Sequence, residues 1–247
     1  MEWEAPAIIL AARPYGEGDA LATVITEAHG AHRGLARGGA ARAKAGLWQP
    51  GNLVQARWVG RLSDQLGSFT AELVHPGAAL AMDDALGLAI LSAACAVAEG
   101  ALTEREPHPR VFAGLLQLIV HLGEAEAAMA ALVRWEAALL ADLGYGMDLS
   151  SCAVTGAAEG LAWVSPRTGH AVSEEAAGPW RERLLPLPAF LLADAPATPQ
   201  DWWDGLRLTG HFLGRDAFGL QHKPLPPARD RLVDRVTARL TTPPPAQ

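Results

Sequence analysis

Ala20-Leu21-Ala22-Thr23-Val24-Ile25-Thr26, stopped at His29-Gly30 and resumed as His32-Arg33-Gly34-Leu35-Ala36-Arg37, is the stretch on which the fold turns. Its first run is rich in β-branched residues, and the glycine-bearing break after it is short. Upstream, Ala7 to Arg13 is an apolar run broken by Gly16-Glu17-Gly18-Asp19. Downstream, Leu53 to Val59 and Gly67 to Val74 have the same strand character. Five short strands in the opening segment, with no amphipathic helix between the early ones, predict a small closed or nearly closed barrel.

Alternation then sorts the side chains. Arg33, Leu35 and Arg37 share one face of the third strand. In the fourth, Val54, Ala56 and Trp58 share one face while Gln55 and Arg57 take the other, so Trp58 is expected in the core. Trp48 falls in a loop beside basic residues and is the candidate for stacking on a nucleobase. The stretch from Gly38 to Gly46 lacks bulky apolar anchors and is expected to be a mobile basic loop able to settle on a phosphate backbone. An OB-type barrel is the form that five such strands most often take.

The formal charge of −7 argues at first against nucleic acid, but its distribution argues the other way. No acidic residue lies between Glu27 and Asp64, while Arg33, Arg37, Arg42, Lys44, Arg57 and Arg61 all do. That segment carries +6, which leaves −13 for the rest of the −7 chain. A polyanion responds to local potential, not to the isoelectric point. By charge alone, an ordinary solvated face would look the same. Lys44 and Lys223 are the only lysines, so arginine, suited to bidentate phosphate contacts, carries most of the positive charge.

From about Ala79 the apolar spacing becomes helical. Asp83 or Asp84 is placed to cap a helix reaching about Glu99, and Pro109 to open a second. A third spans roughly Glu124 to Leu143, with Met129, Leu132, Leu139, Leu140 and Leu143 along its stripe. Glu136 lies on that stripe, so an arginine or backbone donors are expected within hydrogen-bond reach of it. After Gly146 the chain reads as irregular, with a short helix over Glu174 to Leu185, then helices over Asp201 to Leu213 and Ala228 to Leu240. The expected class is α+β: an N-terminal barrel domain over 1–78, then a mostly helical domain over 79–240. An irregular insert is placed near 146–190, and a disordered tail at 241–247.

No apolar run approaches the length of a membrane span, and the acidic start Met-Glu-Trp-Glu is unlike a signal peptide. Cys95 and Cys152, the only cysteines, suit a reducing cytoplasm better than a disulfide framework. Common catalytic routes fail together. Gly16-x-Gly18 is followed by Leu21 where a dinucleotide fingerprint needs glycine, and Ala40 stands where a P-loop needs lysine. Neither His-Glu-x-x-His nor Gly-x-Ser-x-Gly occurs. The chain is expected not to be an enzyme.

The stretch Arg13-Pro14-Tyr15-Gly16-Glu17-Gly18-Asp19, then Thr26-Glu27-Ala28-His29-Gly30, then Arg33-Gly34-Leu35-Ala36-Arg37-Gly38, resembles the opening of the RecO family of bacterial recombination mediators. Leu132-Val133-Arg134-Trp135-Glu136-Ala137-Ala138-Leu139-Leu140 through Leu143-Gly144-Tyr145-Gly146 is similar to that family's central helix and its ending. Cys152-Ala153-Val154-Thr155-Gly156 is similar to the start of its zinc knuckle, and Lys223-Pro224-Leu225 also fits. The likeness runs through nearly the whole chain, in the same order.

The resemblance implies an OB-fold barrel followed by a helical domain. It implies a DNA repair and recombination role in the RecFOR pathway, in the cytoplasm at the nucleoid. Such proteins bind single- and double-stranded DNA, anneal complementary strands and act with RecR. They help RecA displace the single-strand-binding protein (SSB). Arg33, Arg37, Arg42 and Lys44 match the DNA-contacting surface, with Arg57, Arg61, Arg215 and Lys223 as further candidates. Arg134 matches the place of a contact to the acidic C-terminal tail of SSB. One departure matters: Thr155 replaces the second knuckle cysteine, and no later pair exists. No zinc or other cofactor is therefore expected, with Leu161, Trp163 and Val172 packing in its place. The competing readings are a protein–protein adaptor with an OB-like barrel and no direct DNA binding, and a hydrolase with a non-local site.

Overall fold

The β-branched alternation becomes strand where it was expected. β1 (Glu2–Tyr15), β2 (Asp19–Thr26), β3 (Gly30–Ala36), β4 (Leu53–Val59) and β5 (Gly67–His75) close into a barrel in the order β1-β2-β3-β5-β4. The computed structural model describes residues 1–61 and 66–241. β1 is longer than its apolar run because its Glu2–Ile8 half pairs with β4 and its Ala7–Tyr15 half pairs with β2. β3 pairs in parallel with β5, and this closes the cylinder.

Inside lie Ala7, Ile9, Ala22, Val24, Val54, Ala56, Trp58 and Phe69. Gly34 and Gly67 pair directly across β3 and β5, and Trp58 fills the space their missing side chains leave. A Cβ on Gly67 would lie 2.3 Å from the Trp58 ring. Trp48, expected in a loop as a stacking platform, is instead part of this core and only 4% exposed. The reason is local. The Asn52 side chain donates to the carbonyls of Gly46 and Leu47, which draws the loop inward and carries Trp48 with it.

The chain divides into two compact units, Met1–Ala125 and Glu126–Gln247. The first holds the barrel with α1 (Gly77–Ala81), α2 (Ala85–Ala101) and α3 (Pro109–Val120). Asp84 caps α2 by accepting from the Leu86 amide at 2.9 Å. The unit runs past residue 78 because helices cover β1. Ile8 and Leu10 point away from the barrel interior yet are buried, and the Cys95 thiol of α2 lies against the Ile9 carbonyl. Burial on both faces is what a continuous Ala-Ile-Ile-Leu run provides for.

The second unit contains α4 (Ala125–Asp142) from Glu126 on, α6 (Pro199–Phe212) and α7 (Pro227–Thr241). α6 opens with a capping box between Thr198 and Asp201. The region read as irregular contains a small sheet, ordered β7-β6-β8, from β6 (Leu161–Val164), β7 (Ala171–Ser173) and β8 (Leu185–Pro186). The expected helix over Glu174 to Leu185 is broken: α5 (Glu174–Ala177) stops at Gly178 (φ +43°), and a 3-10 turn continues to Arg183. The disordered tail expected at 241–247 lies, from 242 on, outside the described residues.

Glu136 has its partner. It is fully buried, and Arg229 Nε donates to its Oε1 at 2.7 Å and Arg229 Nη2 to its Oε2 at 2.9 Å. The Thr209 hydroxyl also donates to Oε2.

Among the described residues no helix is long and apolar enough to cross a membrane. None of their His, Cys, Asp and Glu side chains form a group of three or more able to hold a metal ion. The knuckle-like segment has the wrong donors for zinc. Cys152 packs with Val172 and Ala177 against Leu161, Trp163 and Leu184, and its sulfur accepts from the Ser173 amide at 3.3 Å. Bonds from Ser173 and Thr155 hold its thiol down to about 6. Thr155 spends its own hydroxyl oxygen on the Ala157 amide. Excess chelator is therefore expected to leave the thermal midpoint unchanged. A drop in that midpoint, or stoichiometric zinc by elemental analysis, would overturn this.

Candidate nucleic-acid interface

Three strands present one outward face. Leu35 of β3, Ser68 of β5 and Val59 of β4 stand abreast in register across its middle. The period of two puts Arg33 toward one end of this row, together with Arg61 just past β4. It puts Arg57, paired in register with Thr70, toward the other end, where Arg37 follows β3. All four arginines are exposed, as are Arg42 and Lys44 in the segment after β3.

That segment is not the unanchored loop the sequence suggested. It is a chain of hydrogen-bonded turns: Gly39 and Ala41 amides return to Ala36 and Gly38, and Lys44 and Leu47 amides to Ala41 and Lys44. Asp19 accepts from the Gly38 amide at 2.7 Å and fixes its start. The glycines and alanines lacked apolar anchors, but backbone bonds and Asn52 supply the anchoring. Arg42 and Lys44 are thus presented from an ordered surface, whose inner wall forms a recess of about 290 Å³ lined by Ala12, Pro14, Gly39, Ala45 and Gln49.

The six cations are not electrostatically equal. Arg33 pairs with Glu104 at 3.0 Å, and Arg57 pairs with Glu2 at 2.7 Å. Freedom from acids in sequence did not mean freedom from acids in space. Arg37, Arg42, Lys44 and Arg61 have no acidic partner among the described residues.

One end of the barrel carries an aromatic cluster that sequence reasoning did not single out. Trp3 is stacked on His29 (4.8 Å between centroids, 18° between planes) and lies parallel to Trp58 (6.3 Å, 13°). His32 meets Trp3 and Trp58 edge-on. These residues come from β1, the β2–β3 turn, β3 and β4, so no local spacing announces them. The turn is held by Gly30 at φ +64°, where a Cβ would lie 1.9 Å from the Glu106 carbonyl oxygen.

Burial is the main cause that lowers His32 from the ordinary imidazole range, aided by the charges of Arg105 and His29; Glu104 and the hydrogen bond with the His29 carbonyl oppose it. A depressed histidine means the unfolded chain takes up its proton first. The His32 contribution to stability is therefore present above pH ~6.5 and lost as pH falls below it. The denaturation midpoint of wild type is expected to drop more between pH 7.5 and 5.5 than that of His32→Gln. Equal drops would remove His32 as the cause.

In the second unit, Arg134 projects from α4, with Nε donating to the Phe190 carbonyl at 2.9 Å. Its guanidinium lies 5.5 Å from the Phe190 ring centre and 3.9 Å from Asp194. Arg215 pairs with Asp216 and donates to the Arg167 carbonyl, and Lys223 donates to Gln221.

A closed five-stranded barrel followed by a mostly helical unit defines the class: an OB-fold domain joined to a helical one. The model for the recombination protein O N-terminal domain matches residues 1–76, and that for its C-terminal domain matches 82–225. The chain belongs to the RecO family of DNA repair proteins. It is 60% identical over 246 residues to DNA repair protein RecO of Granulibacter bethesdensis, covering 98% of each chain. It is 61% identical over 244 residues to that of Gluconacetobacter diazotrophicus (96% of each) and 59% identical to that of Acidiphilium cryptum (97% of each).

Proposed function

We propose that this protein binds single- and double-stranded DNA on the outer face of its barrel. There it anneals complementary strands and, with RecR, helps RecA load onto DNA coated by the single-strand-binding protein. It works in the cytoplasm at the nucleoid as a mediator, without turnover chemistry. The observation that carries this reading is the set of exposed cations, Arg37, Arg42, Lys44 and Arg61, that have no acidic partner among the described residues of an otherwise acidic chain. Membership of a DNA repair family supports it. Arg33 and Arg57 join the surface when phosphate oxygens replace Glu104 and Glu2 as their partners.

The contact to the SSB tail is assigned to Arg134. That tail is acidic and ends in an aromatic residue, so it needs a cation beside an apolar wall. Arg134 over the Phe190 ring provides both. An adaptor without DNA binding is the second reading, favoured by the two ion pairs that quench Arg33 and Arg57.

Anisotropy of labelled single-stranded DNA across a salt series separates the two. If about four phosphates are neutralised, the log–log slope is about −3. Absence of binding at low salt would sink the DNA reading and leave the adaptor.

A further inference from the structure

The arginines of the second unit divide by what they touch. Arg134, Arg181 and Arg215 are ion-paired with Asp194, Glu174 and Asp216. Arg183 and Arg207 lie over the rings of Trp180 and Trp203, and Arg229 is buried against Glu136. Arg167, Arg231, Arg235 and Arg239 are exposed, with neither an acidic nor an aromatic partner among the described residues. Three of these four lie on α7, spaced i, i+4 and i+8. Arg229, Leu232 and Val236 are buried from the opposite side of the same helix.

That spacing is unfavourable for the helix itself. Like charges four residues apart repel, and a helix built for stability interleaves the two signs at that distance. Here they are segregated. Asp230 and Asp234 form their own row, about 100° round the helix from Arg231 and Arg235, and no ion pair joins the two rows among the described residues. Arg239 complements the C-terminal end of the helix dipole, but Arg231 and Arg235 have no such compensation.

We propose that Arg231, Arg235 and Arg239 form a second phosphate-binding surface, which holds one DNA strand by its backbone while the barrel holds another. This rests on the DNA-binding reading above and adds to it where the second strand of an annealing pair is held. Two polyanions repel, so a protein that brings them together needs cations for each. The spacing suits one strand. The three arginines span about 12 Å of helix, a length in which one DNA strand carries roughly three to four phosphates. The row has no large apolar side chain to anchor a protein partner, whose binding energy comes mainly from buried aromatic and aliphatic groups. A phosphate backbone needs only the charges, so no sequence preference is expected.

The test uses two oligothymidylates that cannot pair with each other, one carrying a donor dye and one an acceptor. Energy transfer between them reports two strands on one protein, and anisotropy at limiting strand reports the first. Wild type is expected to hold both at low salt. The second strand should bind with a log–log salt slope of about −2, three phosphates at roughly 0.7 each, and so weaken roughly fifteenfold between 50 and 200 mM salt. Arg231→Gln/Arg235→Gln/Arg239→Gln is expected to lose the energy transfer, to keep its affinity for the first strand within about twofold, and to anneal complementary strands more slowly. The corresponding triple lysine variant keeps the charges and is expected to keep the transfer. Transfer that persists in the glutamine variant, or a wild type that holds only one strand, would overturn the proposal and leave the barrel face standing. A second-strand salt slope near zero in wild type would overturn it without any variant. Binding of no strand at all would remove both readings. If an oligoglutamate peptide binds wild type but not the glutamine variant, and that variant still holds two strands, the row belongs to an acidic protein and the proposal falls.

Discussion

Arg229→Met is expected to cost the second unit about 3–5 kcal/mol, the range for removing one partner of a buried ion pair. The pair is out of water on both sides, with side-chain exposure of 3% for Arg229 and 0% for Glu136. Burial works against the guanidinium charge, but the facing Glu136 charge and its two hydrogen bonds outweigh that and raise Arg229. Arg229 Nη2 also donates to the Leu206 carbonyl at 2.8 Å and to Thr209 Oγ1 at 3.1 Å. One guanidinium thus ties α4, α6 and α7 together. Removing it leaves the buried Glu136 carboxylate uncompensated in charge, with the Thr209 hydroxyl as its donor, which is why the cost exceeds that of any one lost hydrogen bond.

The double variant Glu136→Leu/Arg229→Met sharpens the argument. With both charges gone, no ion is buried, and apolar volume replaces the pair. It is expected to be more stable than Arg229→Met alone, because desolvation rather than attraction dominates a buried pair. Urea midpoints of the three proteins read this directly. A double variant no more stable than Arg229→Met alone would show that desolvation does not dominate and that the pair is a net stabiliser.

How far the sequence carried is best judged from individual residues. Glu136 on an apolar stripe demanded a partner, and that demand was legible. That the partner is Arg229, 93 residues away, was not, because α7 carries several arginines and spacing does not say which turns inward. The strands were legible because β-branched alternation and glycine breaks are local signals. β6, β7 and β8 were not, at four, three and two residues, too short to show a period. Trp48 was misplaced for a related reason. A loop residue has no periodicity, and its burial depends on the Asn52 amide, whose role no pattern reveals.

The cationic face was legible in composition but not in balance. Glu2 reaches Arg57 because β1 lies beside β4, with Glu2 in register with Val59 and Glu4 with Arg57. Glu104 reaches Arg33 because the segment before α3 bridges to β3 at Ala31. Both neighbours are products of topology, so an acid-free stretch overstated the number of cations available.

That difference sets the last expected result. Arg37→Glu/Arg42→Glu/Lys44→Glu is expected to weaken single-stranded DNA binding on the order of a hundredfold or more at low salt, while Arg57→Gln costs only a few-fold. The three reversed residues are exposed, and no acidic residue among those described pairs with them, so a phosphate gains their full attraction and pays nothing to displace a partner. Arg57 must first surrender Glu2 at 2.7 Å, and much of what it gains from phosphate it loses there. The salt slope carries the count. Three cations at roughly 0.7 each should flatten it by about 2, from near −3 to near −1. The barrel should tolerate the changes, since all three side chains point to solvent from turns held by backbone hydrogen bonds. A circular dichroism melt shows whether it does. Unchanged affinity in a folded triple variant would move the DNA contact off this face. A larger loss from Arg57→Gln than from the triple reversal would mean that the strand lies across β4 and β5 instead, and that the Glu2 pair is a gate which DNA opens.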